Sequence, residues 1–400
     1  MVKVSMLSTG EEVLHGDIVD TNASWLSEQF FQQGFALHYR STVGDQLEVL
    51  QQEIIALSQK SDVVIVNGGL GPTTDDLSAL AAAKAQGVEL ELNEDWVETM
   101  TQYFKRVGRP MPESNLKQAM LPKGAEVIDN PVGTACGFCI RLNDALVFFT
   151  PGVPYEFKRM ATEEILPRLK EAFPEVQRLE CNKLYTFGQG ESGLADLLDP
   201  IPLPEGFSLG YRSYMPLIEV KVFSPYQHPE LERILDEIHT QIKEWTLGIN
   251  QSLTTVVANA LVEKDWQLST LEQATGGQLA RDFILQSQAN SHFVQSMIDN
   301  QAAPISELHD ALVLADEYRQ DTMSDIVLAN FNMEDGSTAL VLISQDDHFA
   351  QQVRLKREYP LKAQQILLAT VMQDMLRRYA NQENPIAEYG QFERLAFVGN

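Results

Sequence analysis

Three loops in the first half of the chain hold the residues whose types and spacing could do chemistry. Residues 67–76 read NGGLGPTTDD and follow the apolar run DVVIV (62–66). Gly68, Gly69 and Gly71 allow backbone conformations closed to other residues and let a ligand approach main-chain amides. Such a loop ordinarily receives an anion at the start of a helix. This one carries Asp75 and Asp76 but no lysine or arginine, and the loops STGEEVLHGDIVDTN (8–22) and VGDQ (43–46) add Glu11, Glu12, Asp17, Asp20 and Asp45. Bare phosphate would be repelled by these charges. Two arrangements resolve the conflict. A divalent cation can bridge carboxylate and phosphoryl oxygens, or the carboxylates can accept hydrogen bonds from ring N–H or hydroxyl groups. Both suit a nucleotide or pterin phosphate better than a simple anion. One of the two adjacent aspartates is expected to cap the following helix.

The elements that must position these loops follow from periodicity. VKVSMLS (2–8) reads as a strand, and TNASWLSEQFFQQG as a helix capped by Thr21 or Asn22 and ended by Gly34. A strand at 35–43, a helix with Asp45 near its start, a strand at 62–67 and a helix at 75–86 come next. Two short helices fill 93–120. Strands near 125–129, 136–142 and 145–149 precede a helix reaching about 171. Strands alternating with helices at this spacing predict an α/β fold with a parallel sheet, whose ligands bind beyond the strands' carboxyl ends. Near 175–180 the pattern changes to strand, helix, two strands and an amphipathic helix at 228–246, a small α+β region. A third, α/β region has helices expected at 252–264, 271–287 and 360–381 and strands at 325–331 and 338–344. The domains are therefore placed at 1–172, 173–247 and 248–400.

Composition narrows the function. With 56 acidic against 30 basic residues and a net charge of −26, the chain lacks the cationic surface that gripping nucleic acid requires. No run of apolar residues is long enough to span a membrane. The start, MVKVSMLSTGEE, reads as a strand and not a signal peptide, so a cytoplasmic location is expected. Cys136 and Cys139 form a lone C-x-x-C on a predicted strand, where residues three apart face opposite ways. The seven histidines are scattered. Any metal here would be a hard ion held by carboxylates.

Six collinear blocks, TGEEVLHGDIVDTNASWL, TVGD, NGGLGPTTDD, GRPMPESNLKQAMLP, NPVGTACGF and PGVPYEFKRM, resemble the N-terminal domain of the CinA family, which is similar to the molybdopterin-binding fold of MoaB and MogA. YTFGQGESGLADLL and GYRSYMPLIEVKV resemble the family's KH-like middle domain, without a basic G-x-x-G loop. The resemblance implies a metal-dependent pyrophosphatase acting on ADP-ribose, with Mg, Mn or Co as the cofactor and a homodimer as the assembly. A pterin- or nucleotide-binding protein without chemistry is the alternative. The hydrolytic reading places catalytic groups at Asp75, Asp76, Asp45 and Glu11, the metal at Asp75 and Asp76, and ligand contacts at Thr9, Gly10, Asn22, Gly68, Gly69, Gly71, Thr73, Gly133, Thr134, Gly152 and Pro154.

The third region resembles the family's nicotinamide mononucleotide amidase domain only faintly. Where the family has A-E-S-C-T-G-G with a nucleophilic Ser, this chain has LEQATGG (271–277), so Gln273, Ala274 and Thr275 stand at the former site. Gln cannot form an acyl-enzyme. The Tyr and Lys of a following family stretch are missing from SMIDNQA (296–302), no lysine occurs between Lys264 and Lys356, and the family's glycine-rich loop is reduced to ANFNMEDGS (329–337). A folded domain without amidase chemistry is expected.

Overall fold

In the computed structural model, which describes residues 2–287 and 291–399, strands β1 (Val4–Thr9), β2 (Leu37–Val43) and β3 (Val63–Asn67) run parallel in adjoining rows. Helices α1 (Glu11–Leu14), α2 (Thr21–Gln32) and α3 (Leu47–Lys60) connect them. α4 (Ser78–Gln86), a short hairpin of β4 (Leu90–Leu92) and β5 (Met120–Pro122), and α5 (Glu94–Arg106) follow. β6 (Glu126–Ile128), β7 (Gly137–Leu142) and β8 (Ala145–Thr150) complete the sheet, and α6 (Pro154–Met160) and α7 (Leu166–Ala172) close the unit. The sheet order is β2-β1-β3-β8-β7-β6, parallel from β2 to β8 and antiparallel beyond.

Alternation along the buried strands builds the two cores of this unit, Met1–Glu180. Val63 and Ile65 face Phe30, Phe148 and Phe157, while Val64 and Val66 face Leu50 and Ile54. Cys136 and Cys139 fall in opposite cores, and burial pushes each thiol up to about 12, so neither supplies a thiolate at neutral pH. Register aligns Thr9 with Val43, Ser8 with Asn67 and Asn67 with Thr150. The loops after β1, β2, β3 and β8 therefore leave one edge of the sheet together.

Several local expectations change. Asp20, not Thr21 or Asn22, caps α2 by accepting from Ala23 N at 2.8 Å, which frees Asn22 for longer-range bonds. Neither Asp75 nor Asp76 caps α4, which starts at Ser78 after Leu77. Asp76 instead accepts from Thr73 N at 2.8 Å and Thr73 Oγ1 at 2.5 Å, closing a separate turn ahead of the helix.

The second unit, Cys181–Asn400, contains two sheets. β9 (Leu179–Thr186), α8 (Glu191–Leu198), β10 (Ser208–Tyr214), β11 (Leu217–Pro225), α9 (Leu231–Ile242) and β12 (Thr246–Ile249) make a four-stranded sheet, order β10-β11-β9-β12, backed by two helices. α10 (Leu253–Lys264), β13 (Leu268–Glu272), α11 (Gln278–Ile284), β14 (Phe293–Ile298), α12 (Leu308–Thr322), β15 (Ile326–Asn332), β16 (Thr338–Ile343), β17 (His348–Leu355), α13 (Leu361–Ala380) and β18 (Phe392–Gly399) build the other, in order β14-β13-β15-β16-β17-β18. The helix expected at 271–287 is shortened to α11, because its first residues belong to a strand and a turn. LSTLE pairs in parallel with β14 and β15 as a buried strand, and Gly276 and Gly277 at φ 57° and 91° turn the chain before α11 begins.

The two sheets share a core. Phe187, Leu217 and Leu247 of the smaller sheet pack in the cluster that holds Met372, Met375 and Tyr389. Asp374, fully buried on α13, accepts from Arg377 at 2.7 Å, Arg378 at 2.8 Å and Tyr389 at 2.8 Å, and Arg378 reaches Glu244 O at 3.0 Å. The Asp374 charge is thus paired and hydrogen-bonded, as burial requires.

Candidate functional site

At the common strand edge of the first unit lies a cavity of about 550 Å³, within the range of nucleotide-sized ligand sites. Thr9, Gly10, Asn22, Asp45, Gly68, Gly69, Gly71, Asp75, Asp76, Thr134, Gly152 and Pro154 line it, as do Glu12, Asp20, Asn67 and Glu156. Glu11, Thr73 and Gly133 lie off its wall. Glu11 turns its Oε1 to Asp45 N at 3.2 Å, and Thr73 lines a second cavity of about 370 Å³ on the other side of the glycine loop. A Cβ on Gly133 would come within 2.1 Å of Glu156 Oε2, which bonds Asn130 at 2.7 Å.

The glycine loop is shaped by close approach. Gly68 has φ 111°, and a Cβ there would lie 2.6 Å from Thr9 O. Gly69 has φ 66°, with Ser78 Oγ as near as 2.5 Å to its would-be Cβ. Ser78 Oγ donates to Gly68 O at 2.7 Å and Ser78 N to Gly69 O at 3.1 Å, so the loop's carbonyls are engaged while the amides of Gly69, Leu70 and Gly71 donate to no group among the described residues. Lys117 Nζ donates to Thr73 O and pins the turn from outside. The first turn of α4 does not face the acidic cavity: Ala79 and Leu80 line the second one. The turn at 73–77 thus stands between the glycine loop and the start of α4.

Charge on the wall is uneven. Burial holds the Asp45 carboxyl above its ordinary range, with the negative charges of Glu12 and Asp75 adding to the push, against hydrogen bonds from Glu11 N and Thr9. Asp45 accepts those bonds at 3.2 Å each. Asp75 is fully exposed and sits below its ordinary range through the nearby Thr73 hydroxyl and then Lys117. Two carboxylates within electrostatic reach are thus driven in opposite directions.

A ladder of amides sets the floor. Asn22 Nδ2 donates to Asn67 Oδ1 at 2.9 Å and to Gly152 O at 2.8 Å. Asn67 Nδ2 donates to Thr150 Oγ1 at 3.2 Å and Pro151 O at 2.7 Å. Sequence reasoning missed Asn67 as a site residue although it opens the glycine loop. A polar residue ending the all-apolar run VVIV was the signal. Lys117 was missed because its block carried only a general resemblance.

In the second unit the position expected from the family resemblance to have lost its nucleophile is tightly bonded. Gln273 is buried; its Nε2 donates to Ala302 O at 2.5 Å and its Oε1 accepts from Asn332 N at 2.8 Å. Beside it, Glu272 is fully buried and accepts from Leu279 N at 3.0 Å, Ala280 N at 2.8 Å and Thr275 Oγ1 at 2.7 Å. Thr275 also accepts from Asn330 Nδ2 at 2.8 Å.

Comparison with known proteins places the chain. The family model described as "Probable molybdopterin binding domain" matches residues 5–171. A protein of Escherichia coli strain UMN026 named "CinA-like protein" is 43% identical over 397 residues, 98% of this chain and 97% of that one. The chain belongs to the CinA-like family. A second relative, from Escherichia coli strain K12 and named "NMN amidohydrolase-like protein YfaY", is also 43% identical over 397 residues, 98% of each chain. Among solved structures, a CinA of Thermoplasma acidophilum is 30% identical, covering 43% of this CinA-like chain and 96% of that one at a TM-score of 0.37. The α/β fold with its MoaB/MogA-like first unit accords with this membership, and no helix among the described residues is long and apolar enough to cross a membrane.

Proposed function

We propose that the first unit binds ADP-ribose or a related nucleotide pyrophosphate and hydrolyses it with a divalent ion, and that the second unit lacks nicotinamide mononucleotide amidase activity. The observation that carries the first part is the pairing of free loop amides with carboxylates pushed to opposite protonation behaviour in one cavity. Among the described residues no three His, Cys, Asp or Glu side chains are grouped to hold a metal alone. The donor set nevertheless fits an ion shared with the ligand, since Mg²⁺ is commonly held by one or two carboxylates plus substrate phosphates. Asp75 and Asp76, both on the cavity wall, would be its protein ligands. When bound, such an ion neutralises phosphoryl charge and polarises phosphorus.

The chain's own groups divide the remaining work. The amides of Gly69, Leu70 and Gly71 hold phosphoryl oxygens without contributing fixed charge. Asp45, the better base of the two, takes the proton of the attacking water. The water oxygen bonds to phosphorus as the bridging P–O bond breaks, leaving AMP and ribose 5-phosphate. Incubation of the purified chain with ADP-ribose and Mg²⁺, Mn²⁺ or Co²⁺ tests this: AMP should form and should vanish in Asp45→Asn. Absence of turnover with every ion defeats the hydrolytic reading. The second reading, a binding protein without chemistry, accords with a cavity in which no three-residue metal cluster is found among the described residues. It predicts ligand-dependent thermal stabilisation with no product.

For the second unit, support comes from Gln273, whose side chain has no ionisable hydroxyl and whose amide is consumed by two backbone partners. Ammonia release from nicotinamide mononucleotide above the uncatalysed rate would overturn this part.

A further inference from the structure

The loop that follows β1 grips the Asp45 carboxylate at both oxygens. Oδ1 accepts from Thr9 Oγ1 and Oδ2 from Glu11 N, each at 3.2 Å. The contact is reciprocal, because Glu11 Oε1 accepts in turn from Asp45 N at 3.2 Å. Just ahead of it, Gly10 N donates to Val43 O at 3.2 Å. These bonds stitch residues 9–11 to residues 43–45. The other Glu11 oxygen, Oε2, lies 3.4 Å from the exposed His15 Nε2.

Room for the Glu11 carboxylate comes from Gly44. That residue is buried, and a Cβ on it would lie 2.2 Å from Glu11 Oε1 and 2.6 Å from Glu11 Cδ. Its three nearest neighbours would all be atoms of this carboxylate, while its backbone lies outside the left-handed region. Glycine is thus required here by the Glu11 side chain and not by the turn itself. Two residues on separate loops, one long and acidic and one without a side chain, are fitted to each other.

Glu11 does not line the cavity, so it is not placed to touch a ligand there. Resting on the reading of Asp45 as the base that takes the proton of the attacking water, we infer that Glu11 is a positioning residue: its side chain ties down the Asp45 backbone, and Gly44 admits it. A base free to swing is out of line with its proton for much of the time, and fixing it from both ends removes that loss. The negative charge of Glu11 is not needed for this work. A neutral amide oxygen in the same place accepts from Asp45 N as well.

The experiment compares Glu11→Ala, Glu11→Gln, Gly44→Ala and the Glu11→Ala/Gly44→Ala pair in the full chain. Two quantities are read: ADP-ribose turnover with Mg²⁺, Mn²⁺ or Co²⁺, and hydrogen exchange of the Asp45 amide by NMR. In Glu11→Ala, kcat should fall about tenfold with KM within about twofold of wild type, the pattern of a misplaced group and not of lost binding. Glu11→Gln should recover most of that loss. Gly44→Ala should match Glu11→Ala, and the pair should be no worse than either alone, since the clash vanishes with the side chain. Exchange at Asp45 should quicken about tenfold in both alanine variants and stay slow in Glu11→Gln. If one alanine variant does not fold, the other and the glutamine variant carry the comparison.

Wild-type kcat in Glu11→Ala overturns the inference and leaves the hydrolytic reading standing. A loss in Glu11→Gln as large as that in Glu11→Ala, or an additive loss in the pair, overturns it equally. Absence of turnover in the wild-type chain defeats the hydrolytic reading, and the amide then decides by itself. Faster exchange in the alanine variants alone upholds the tie between Glu11 and Asp45, and unchanged exchange defeats it.

Discussion

Two loops of this chain begin alike and end differently. After β3 the chain reads Asn67-Gly68-Gly69, and after β13 it reaches Thr275-Gly276-Gly277; each follows a buried parallel strand and leads to a helix. In the first, three amides and an asparagine oxygen are left without partners beside a cavity. In the second, Glu272, Gln273 and Thr275 find all their partners inside the protein. Polar groups that the fold satisfies contribute stability, whereas polar groups that it leaves open are available for a ligand. The same turn chemistry thus serves packing in one unit and, under the proposed function, recognition in the other.

The sharpest way to break this contrast is at Asp45. Asp45→Asn should lower AMP formation from ADP-ribose by about 10²-fold or more, the range for loss of a general base; retention of wild-type turnover removes Asp45 from the mechanism. Next comes Gln273→Ala, which removes the buried side chain that bonds Ala302 O and Asn332 N. It should destabilise the second unit by about 1–3 kcal/mol in urea unfolding, with no change in AMP formation, and Gln273→Ser should release no ammonia from nicotinamide mononucleotide.

The pH dependence sharpens the comparison further. Asp45 is held above the ordinary Asp value of 3.8, so the native state binds its proton more tightly than the unfolded chain does. Its contribution to stability is therefore full below the unfolded value and lost as pH rises through the native one. Activity should run the other way, since only the ionised form accepts a proton. The acid limb of the rate profile should lie above 3.8 and move in Asp45→Glu. The smallest expected effect is that of Lys117→Met, which removes the tether to Thr73 O. KM for ADP-ribose should rise about two- to fivefold with kcat nearly unchanged, consistent with a loss of loop order worth ~1 kcal/mol.

Alternation and punctuation made most of the first unit legible. VVIV (63–66) reads as a doubly buried strand because every residue is apolar, and glycines mark where the chain must turn. The exact start of α4 was not legible. Either Asp75 or Asp76 makes a plausible cap by type, and only the competing bond from Asp76 to Thr73 decides against both. Likewise LEQATGG carries a helix-like composition, and it is the pairing of β13 with two distant strands that makes its first residues extended. The acidic cluster was visible as composition. That Glu11 leaves the cavity while Glu12 lines it depends on Asp45 supplying a backbone partner, which no local pattern encodes.

The shared core of the second unit gives its two sheets a common fate. Tyr389 and α13 roof Phe187 and Leu247, and Arg378 fastens the end of α9's following turn through Glu244. Truncating the chain at the start of α10 would bare that apolar floor and release the tether together. The larger sheet thus acts as a cover for the smaller one, so a change in either is felt by both.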